Sequence, residues 1–266
     1  MLIAAAFCPH PPLLVPEATG VPGPDQAELA RLRAACLAAA AALASGPPDL
    51  ASGPPDLIAV VGGAPRTTEY PPDAVASLAQ FGIPDPGSAH PGSAHPGSAP
   101  DSAAATVLPL SLTIGKWLLT NAGPNTSQAR VACWGIAADM PPAQCAVLGE
   151  KLAALAPRVA LLALGDGPGC RARGVPGAVD PAADRYDAQV AAALAEPSPD
   201  ALASLDPKTS DDLFASGRAA WQVAAGAAGA AGPGDFAATL GYAAVPFEVS
   251  YFVANWRRIS PPPRAH

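Results

Sequence analysis

The chain has 266 residues, of which 50% are hydrophobic, 5% aromatic and 14% charged, and its formal net charge is −7. This length suits one large α/β domain or two small ones. The acidic balance and the lack of a basic tract exclude non-specific binding to nucleic acid or to an anionic membrane surface.

The cysteines and the N-terminus indicate a cellular compartment. Five cysteines are widely spaced and form no Cys-x-x-Cys pair, which argues against a zinc ribbon or a thioredoxin-type site. The apolar N-terminal run has no preceding Lys or Arg, and prolines interrupt it, so it is a poor signal peptide. No uncharged apolar run reaches the ~20 residues that span a bilayer. We therefore expect a cytoplasmic protein with free thiols and no membrane partner.

The first quarter of the chain alternates strand and helix. Residues 2–7 form an apolar strand that stops at His10, a histidine with prolines on both sides. Those prolines fix φ and remove backbone donors, so they predict a stiff turn. A helix is predicted from residues 24–25 to 44, and a buried strand at 57–61. That strand ends in the pair Gly62-Gly63, which is too short a glycine motif for a phosphate-binding loop.

Two tandem repeats interrupt this pattern. The unit ASGPPDL occurs at 44–50 and again at 51–57, and we expect the second copy to form a surface bulge. Residues 84–101 hold three related units of proline, glycine, serine and alanine, which predict a flexible loop. His90 and His95 lie in it, and a flexible loop would hold a metal poorly.

The remaining segments continue the alternation of strands and helices. We predict a strand at 106–110, a helix at 111–119 with Ser111 near its N-cap, and Gly123 as its stop signal. Further predictions, in chain order, are a strand at 130–135, a helix at 141–156, a strand at 158–164, a helix at 180–195, two or three short helices at 200–229, a lead-in at 239–242 and a last strand at 249–254.

This pattern predicts an α/β fold. About six apolar strands separated by helices imply one mostly buried central sheet with helices on both faces. We expect a single domain at 1–259 and a loose, proline-rich tail at 260–266.

His10 is the one histidine in a context that favours function, because the end of a buried strand is where α/β proteins place ligand-facing groups. The alternative is a histidine that only caps a strand. Asp166 has a similar pair of interpretations. It lies in a Gly-Asp-Gly turn, where a carboxylate often only accepts hydrogen bonds from backbone N–H groups.

Five segments, in order along the chain, resemble class III extradiol ring-cleavage dioxygenases of the B-type family, in particular the actinobacterial branch. They are PHPPLLVPE at 9–17, DLIAVVGGAP at 56–65, LPLSL at 108–112, GDG at 165–167 and AVPFEVSYFVA at 244–254. The resemblance implies a non-haem Fe(II) held by two histidines and one carboxylate, with open positions for a catechol and O₂.

Carried over residue by residue, the resemblance implies an incomplete iron site. The first ligand matches His10, the second histidine position is Gly63, and the carboxylate position is Ala244. Glu248 lies four residues further on and is a weak substitute. The family's acid and base histidines have no counterpart at 103–106 or 168–171. A shifted alignment would bring Glu17 or Glu69 into consideration.

Three functions remain open at this point. The first is a dioxygenase-like pseudoenzyme whose residual pocket, around His10, Asp166 and Glu248, binds a small aromatic molecule or a partner. The second is an active Fe(II) extradiol dioxygenase with a rearranged site. The third is a hydrolase or transferase with Cys8 or Cys170 as nucleophile, the latter beside Arg171 and Arg173. Oligomeric state is left open between a monomer and a homo-oligomer.

Overall fold

The computed structural model describes residues 1–18, 26–45, 53–83, 106–123, 129–169, 180–229 and 234–259. In these ranges the strands are β1 (Leu2–Cys8), β2 (Leu57–Ala64), β3 (Thr68–Tyr70), β4 (Arg130–Ala137), β5 (Val159–Leu164), β6 (Phe236–Ala244) and β7 (Tyr251–Arg258). The helices are α1 (Gln26–Ser45), α2 (Leu110–Asn121), α3 (Pro142–Ala153), α4 (Pro181–Ala195), α5 (Pro199–Ala203), α6 (Pro207–Asp212) and α7 (Arg218–Gly229).

The strands form one mixed sheet in the order β3-β4-β2-β5-β1-β7-β6. The four inner strands β4, β2, β5 and β1 are parallel, while β3, β6 and β7 are antiparallel to their neighbours. Every residue of β1 and β5 is buried. Continuous apolar runs of this kind are typical of strands covered on both faces.

Helices cover both faces of this sheet, as the sequence predicts. Helices α1 and α2 pack on one face, against Ala4, Ala6 and Cys8 of β1. The helices from α3 to α7 pack on the other face, where Phe7 of β1 contacts Trp256 at 4.8 Å between ring centroids. The α/β class with a central buried sheet is therefore confirmed.

The alanine and glycine content allows α3 and α7 to pack closely. A Cβ on Gly149 would lie 2.1 Å from Val223 O, and one on Gly226 would lie 2.4 Å from Ala146 O. Most residues of α7 are buried, among them Trp221 and a run of alanines. The two helices can approach this closely only because no side chain stands between their backbones.

Three local predictions need correction, and one short strand is missing from them. Residues 106–110 contain no strand: Val107 forms only an isolated bridge with Val75, and Pro109 precedes α2. Ser111 does not cap α2, because its hydroxyl donates to Gly63 O instead. The lead-in at 239–242 belongs to a full strand, β6, and the short strand β3 went unpredicted.

The predicted loop 84–101, the tail 260–266, and His90 and His95 lie outside the described residues.

Further features of the described residues concern the core aromatics, the thiols and the helices. Trp221 and Tyr251 are core residues, with 1% and 4% of their surface exposed, and Trp117 is partly buried against the α1 and α2 side of the core. The cysteines in the described ranges are free thiols. None of the described helices is both long and apolar enough to cross a membrane.

Candidate functional site

The ends of three parallel strands meet at one edge of the sheet. Cys8, the last residue of β1, pairs with Leu164 of β5, and Leu164 also pairs with Gly62 of β2. The residues that follow these strands are therefore neighbours. They include His10 after β1 and Asp166 after β5, so the structure brings together two of the predicted site residues.

The antiparallel strands complete this edge. Phe7 near the end of β1 pairs with Ala254, so β7 begins at the edge where β1 ends. Ala244, the last residue of β6, pairs with Tyr251, the first residue of β7. The edge thus also includes Ala244 and the turn that contains Glu248. We call the part of it around His10, Gly63 and Asp166 the corner.

His10 and Asp166 contact each other directly. The backbone N–H of His10 donates to Asp166 Oδ1 at 2.9 Å, and His10 Nδ1 lies 3.6 Å from the same oxygen. The side chains are 13% and 19% exposed. Nδ1 itself is buried and makes no hydrogen bond to any described residue, since 3.6 Å is too long for one. The carboxylate therefore holds the His10 turn through its backbone N–H, while the imidazole Nδ1 has no hydrogen-bond partner among the described residues.

The loop before α7 fixes the backbone of Asp166. Gly217 N donates to Asp166 O at 2.9 Å, and Asp166 N donates to Ser216 Oγ at 3.3 Å. A Cβ on Gly165 would come within 2.2 Å of Gly217 Cα, so this approach requires glycine. This geometry is consistent with the interpretation of Asp166 as an acceptor for backbone N–H groups. The N–H that it accepts comes from His10, in the turn after β1, and not from the Gly-Asp-Gly turn itself.

Beneath the corner lie a pair of thiols and a tyrosine. Cys8 and Cys36 are fully buried, and burial, followed by the interaction with Cys8 and the charge of Asp166, raises the pKa of the Cys36 thiol well above its ordinary value. Burial, with a smaller contribution from Asp166, likewise raises the pKa of Tyr251. Cys8 thus has no exposed surface from which to act as a nucleophile. Cys170, Arg171 and Arg173 lie outside the described residues.

Gly63 leaves room at the corner. Ser111 Oγ donates to Gly63 O at 2.7 Å and fixes the carbonyl. A Cβ on Gly62 would lie 2.6 Å from Ser111 Oγ, whereas a Cβ on Gly63 would meet nothing within 4 Å. A larger side chain would therefore fit at Gly63, but glycine provides no metal-binding donor there.

Glu248 lies on an exposed turn. Phe247 and Glu248 have φ values of 56° and 62°, which are left-handed and unfavourable for residues with a Cβ. Within the described ranges, Glu248 makes no hydrogen bond or ion pair with His10 or Asp166. The strained turn itself has no counterpart in the sequence predictions.

The donors at the corner do not fit an Fe(II) triad. His10 and Asp166 offer one nitrogen and one carboxylate, while Gly63 and Ala244 offer nothing. In the described part of the chain no three His, Cys, Asp or Glu side chains are grouped so that they could hold a metal. Glu17 is exposed in a short 3₁₀ turn after the corner.

Glu69 is not at the corner. It lies on the edge strand β3, where it pairs with Trp134 of β4, and it lines a cavity that extends to Leu57 and Arg130, the first residues of β2 and β4. Sequence analysis also missed Ser111, Cys36 and Ser216, which contact the corner from helices or loops distant in sequence. For Ser111, the sequence gives one signal: the pair Gly62-Gly63, whose lack of side chains allows a residue of helix α2 to approach the strand.

Comparison with known proteins adds little. No protein-family model matches the chain, and no curated protein matches it significantly. Among solved structures, the chain is similar to an uncharacterized protein from Escherichia coli, with 17% sequence identity and a TM-score of 0.45. The match covers 96% of this chain and 99% of that one.

Proposed function

We propose that the protein is a class III extradiol dioxygenase-like pseudoenzyme. In this proposal the corner binds a small hydroxylated aromatic molecule without iron and without ring cleavage. The observation that carries it is the contact between His10 and Asp166, while the other two positions implied for ligands, Gly63 at the corner and Ala244 on the same edge, have no side-chain donor atoms.

The chemistry of the pair supports a phenolic ligand. Asp166 Oδ2 can accept a hydrogen bond from a phenol, because the contacts with His10 occupy Oδ1. The imidazole of His10 can donate or accept through its ring nitrogens. A Cβ on Gly63 would meet nothing within 4 Å, so no side chain there stands in the way of a ring beside them.

The donor set of the corner is too small to hold iron firmly. One imidazole and one carboxylate leave Fe(II) with two protein ligands, and Fe(II) is near the weak end of the divalent affinity series. Moreover, the carboxylate oxygen nearest His10 already accepts its backbone N–H. Without bound iron there is no centre that passes electrons between a catechol and O₂.

The test combines metal analysis with ligand binding. After anaerobic Fe(II) reconstitution and desalting, we expect iron far below one atom per chain and no catechol-dependent O₂ uptake. In the presence of a chelator, catechol should still bind, as measured by calorimetry, and His10→Ala should abolish that binding.

A matched variant separates this proposal from an active enzyme. Glu248→Gln should leave catechol affinity unchanged, because Glu248 is exposed and makes no contact with the His10–Asp166 pair. Stoichiometric iron with O₂ uptake that requires both His10 and Glu248 would instead establish a working dioxygenase with a rearranged site, and the proposal would be wrong.

A further inference from the structure

The cavity that Glu69 lines lies beside the edge strand β3, away from His10. It has a volume of about 370 Å³ and follows the first half of β4, the strand between β2 and the short edge strand β3. Its lining mixes apolar side chains, among them Leu108, Val131 and Leu155, with the charged side chains of Glu69, Lys116 and Arg130.

Two prolines create this cavity by ending β3 early. Strand β3 has three residues, and its register pairs Thr68 with Gly135 and Tyr70 with Cys133. If β3 continued for two more residues in the same register, Pro72 would lie opposite Val131. Proline has no N–H with which to pair, so the chain leaves the sheet and the first half of β4 is uncovered by β3.

At the uncovered edge, the N–H and C=O of Val131 have no backbone partner among the described residues. Arg130 N donates to Asp56 O on the β2 side, and successive residues of a strand alternate in direction. The N–H and C=O of Val131 therefore point away from β2. Ala137 is an even number of residues from Val131, so its backbone groups point the same way. Its N–H donates to Thr67 Oγ1, which lies on the β3 side. Within the described ranges no strand pairs with Val131 there.

The cavity extends to both faces of the sheet around this edge. On the α2 face, Val131 and Cys133 lie with Leu108 and Lys116, whose Nζ donates to Ala74 O at 3.2 Å. On the opposite face, Ala132 packs towards Leu57. The cavity thus borders the backbone of Val131 at the edge and side chains on both faces of the sheet.

We propose that this cavity is a strand-addition site for an extended peptide segment of another protein, with an acidic residue opposite Val131. The peptide residue in that position would exchange two backbone hydrogen bonds with Val131. Its side chain would share the face of Val131 and so lie near Lys116, which has protons left after its bond to Ala74.

The chemistry of each face defines the peptide. The ammonium of Lys116 beside the apolar Leu108 suits a Glu side chain, whose methylenes cover the leucine. The two neighbouring peptide residues would point to the other face, towards Ala132 and Leu155, and so should be apolar. A pattern of apolar, acidic, apolar is therefore the expected core of the bound segment.

A designed peptide tests the proposal directly. The probe is acetyl-Thr-Val-Glu-Val-Thr-amide, added to the full-length ¹⁵N-labelled protein while the amide resonances are followed. We expect saturable shifts centred on the amide of Val131 in the millimolar range. The same peptide with an N-methylated Glu lacks the central donor and should bind at least about tenfold more weakly.

Failure of either expectation overturns the proposal. No saturable shift at Val131, or equal binding of the N-methylated peptide, would mean that Pro71 and Pro72 only protect the edge from pairing. Shifts at Val131 that depend on dilution of the protein alone would identify a second copy of the chain as the occupant.

The acidic preference has its own matched test. Lys116→Met retains the aliphatic stem, and should weaken the Glu peptide roughly threefold to fivefold, as expected for a partly exposed ion pair. It should leave a peptide with Gln in place of Glu unaffected. Lys208→Met, the same change on the exposed helix α6, is the control and should alter neither. Equal weakening of both peptides by Lys116→Met would contradict the role of its charge.

Discussion

The backbone N–H of His10 donates to Asp166 Oδ1 at 2.9 Å, which joins the turn after β1 to the turn after β5. The bond continues the pairing of the two strands, since Gly165 N donates to Cys8 O at 3.0 Å just before it. The proposed ligand-binding pair is therefore held by the sheet and does not depend on a separate loop.

Removing the Asp166 carboxylate should destabilise the fold. We expect Asp166→Ala to lower the free energy of unfolding by about 2 kcal/mol, since a hydrogen bond to a charged group is lost and the His10 N–H remains partly buried. Asp166→Asn retains an acceptor oxygen and should cost less than half as much. Urea denaturation measures both, and equal losses would contradict an acceptor role.

The regular elements could largely be predicted from the sequence. Continuous apolar runs identified β2 and β5, and proline at a helix start identified α3. The failures have physical causes. Strand β6 exposes most of its alternate residues, and its alanines and glycine have low strand propensity, so it carries little signal. Strand β3 is short and polar, and only its pairing with β4 makes it a strand.

The corner could be predicted only in part. His10 was identifiable because a proline-flanked histidine follows a buried strand. Its contact with Asp166 depends on β1 and β5 being neighbours, and strand order is decided by packing of the whole chain and not by local pattern. The approach of Ser111 to Gly63 depends on how α2 lies on the sheet, for which the sequence has no local signature.

Gly62 and Gly63 should respond oppositely to the same substitution. Gly62→Ala places a Cβ 2.6 Å from Ser111 Oγ and 3.2 Å from Leu164 Cβ, so helix α2 must shift. We expect a loss of roughly 1–3 kcal/mol of unfolding free energy, the usual cost of overpacking. Gly63→Ala meets nothing within 4 Å and should change stability by less than about 0.5 kcal/mol. Thermal unfolding of the pair provides the comparison, and a costly Gly63→Ala would mean that the corner is already filled.

If the resemblance to extradiol dioxygenases is correct, restoring the missing ligands should restore metal binding. The double variant Gly63→His, Ala244→Glu would add an imidazole and a carboxylate to His10 at the same edge, and Gly63 has room for the larger side chain. We expect near-stoichiometric Fe(II) after anaerobic reconstitution, and less iron in each single variant, which adds only one ligand to the His10–Asp166 pair. If the double variant folds and binds no more iron than the wild type, the assigned ligand positions are wrong.

Alkaline pH should destabilise the protein through its buried tyrosines. Burial raises the pKa of Tyr186 to about 12 from its ordinary value near 10, although a 2.9 Å hydrogen bond with Ser210 Oγ offsets part of the effect. Below pH 10 the tyrosine is neutral in both the folded and the unfolded chain, so stability does not depend on it. Between pH 10 and 12 the unfolded chain loses the proton first, and stability falls as pH rises.

The variant Tyr186→Phe should isolate this effect. The other two buried tyrosines, Tyr242 and Tyr251, also have raised pKa values and add to the alkaline slope of the wild type. Removing the Tyr186 hydroxyl should therefore not flatten the slope completely but should reduce it by up to about 1.4 kcal/mol per pH unit. Unfolding free energies from urea titrations between pH 9 and 11.5, roughly the range over which the unfolded tyrosine ionises, measure the difference.

Ser210→Ala is the matched control, because it leaves Tyr186 buried and removes the hydrogen bond that lowers the tyrosine's pKa, together with the bond from Ser210 Oγ to Asp206 O at 2.8 Å. It should preserve the alkaline slope and extend it to higher pH, since the folded tyrosine then holds its proton more tightly. An identical slope for the wild type and Tyr186→Phe would show that Tyr186 ionises as readily in the folded chain as in the unfolded one.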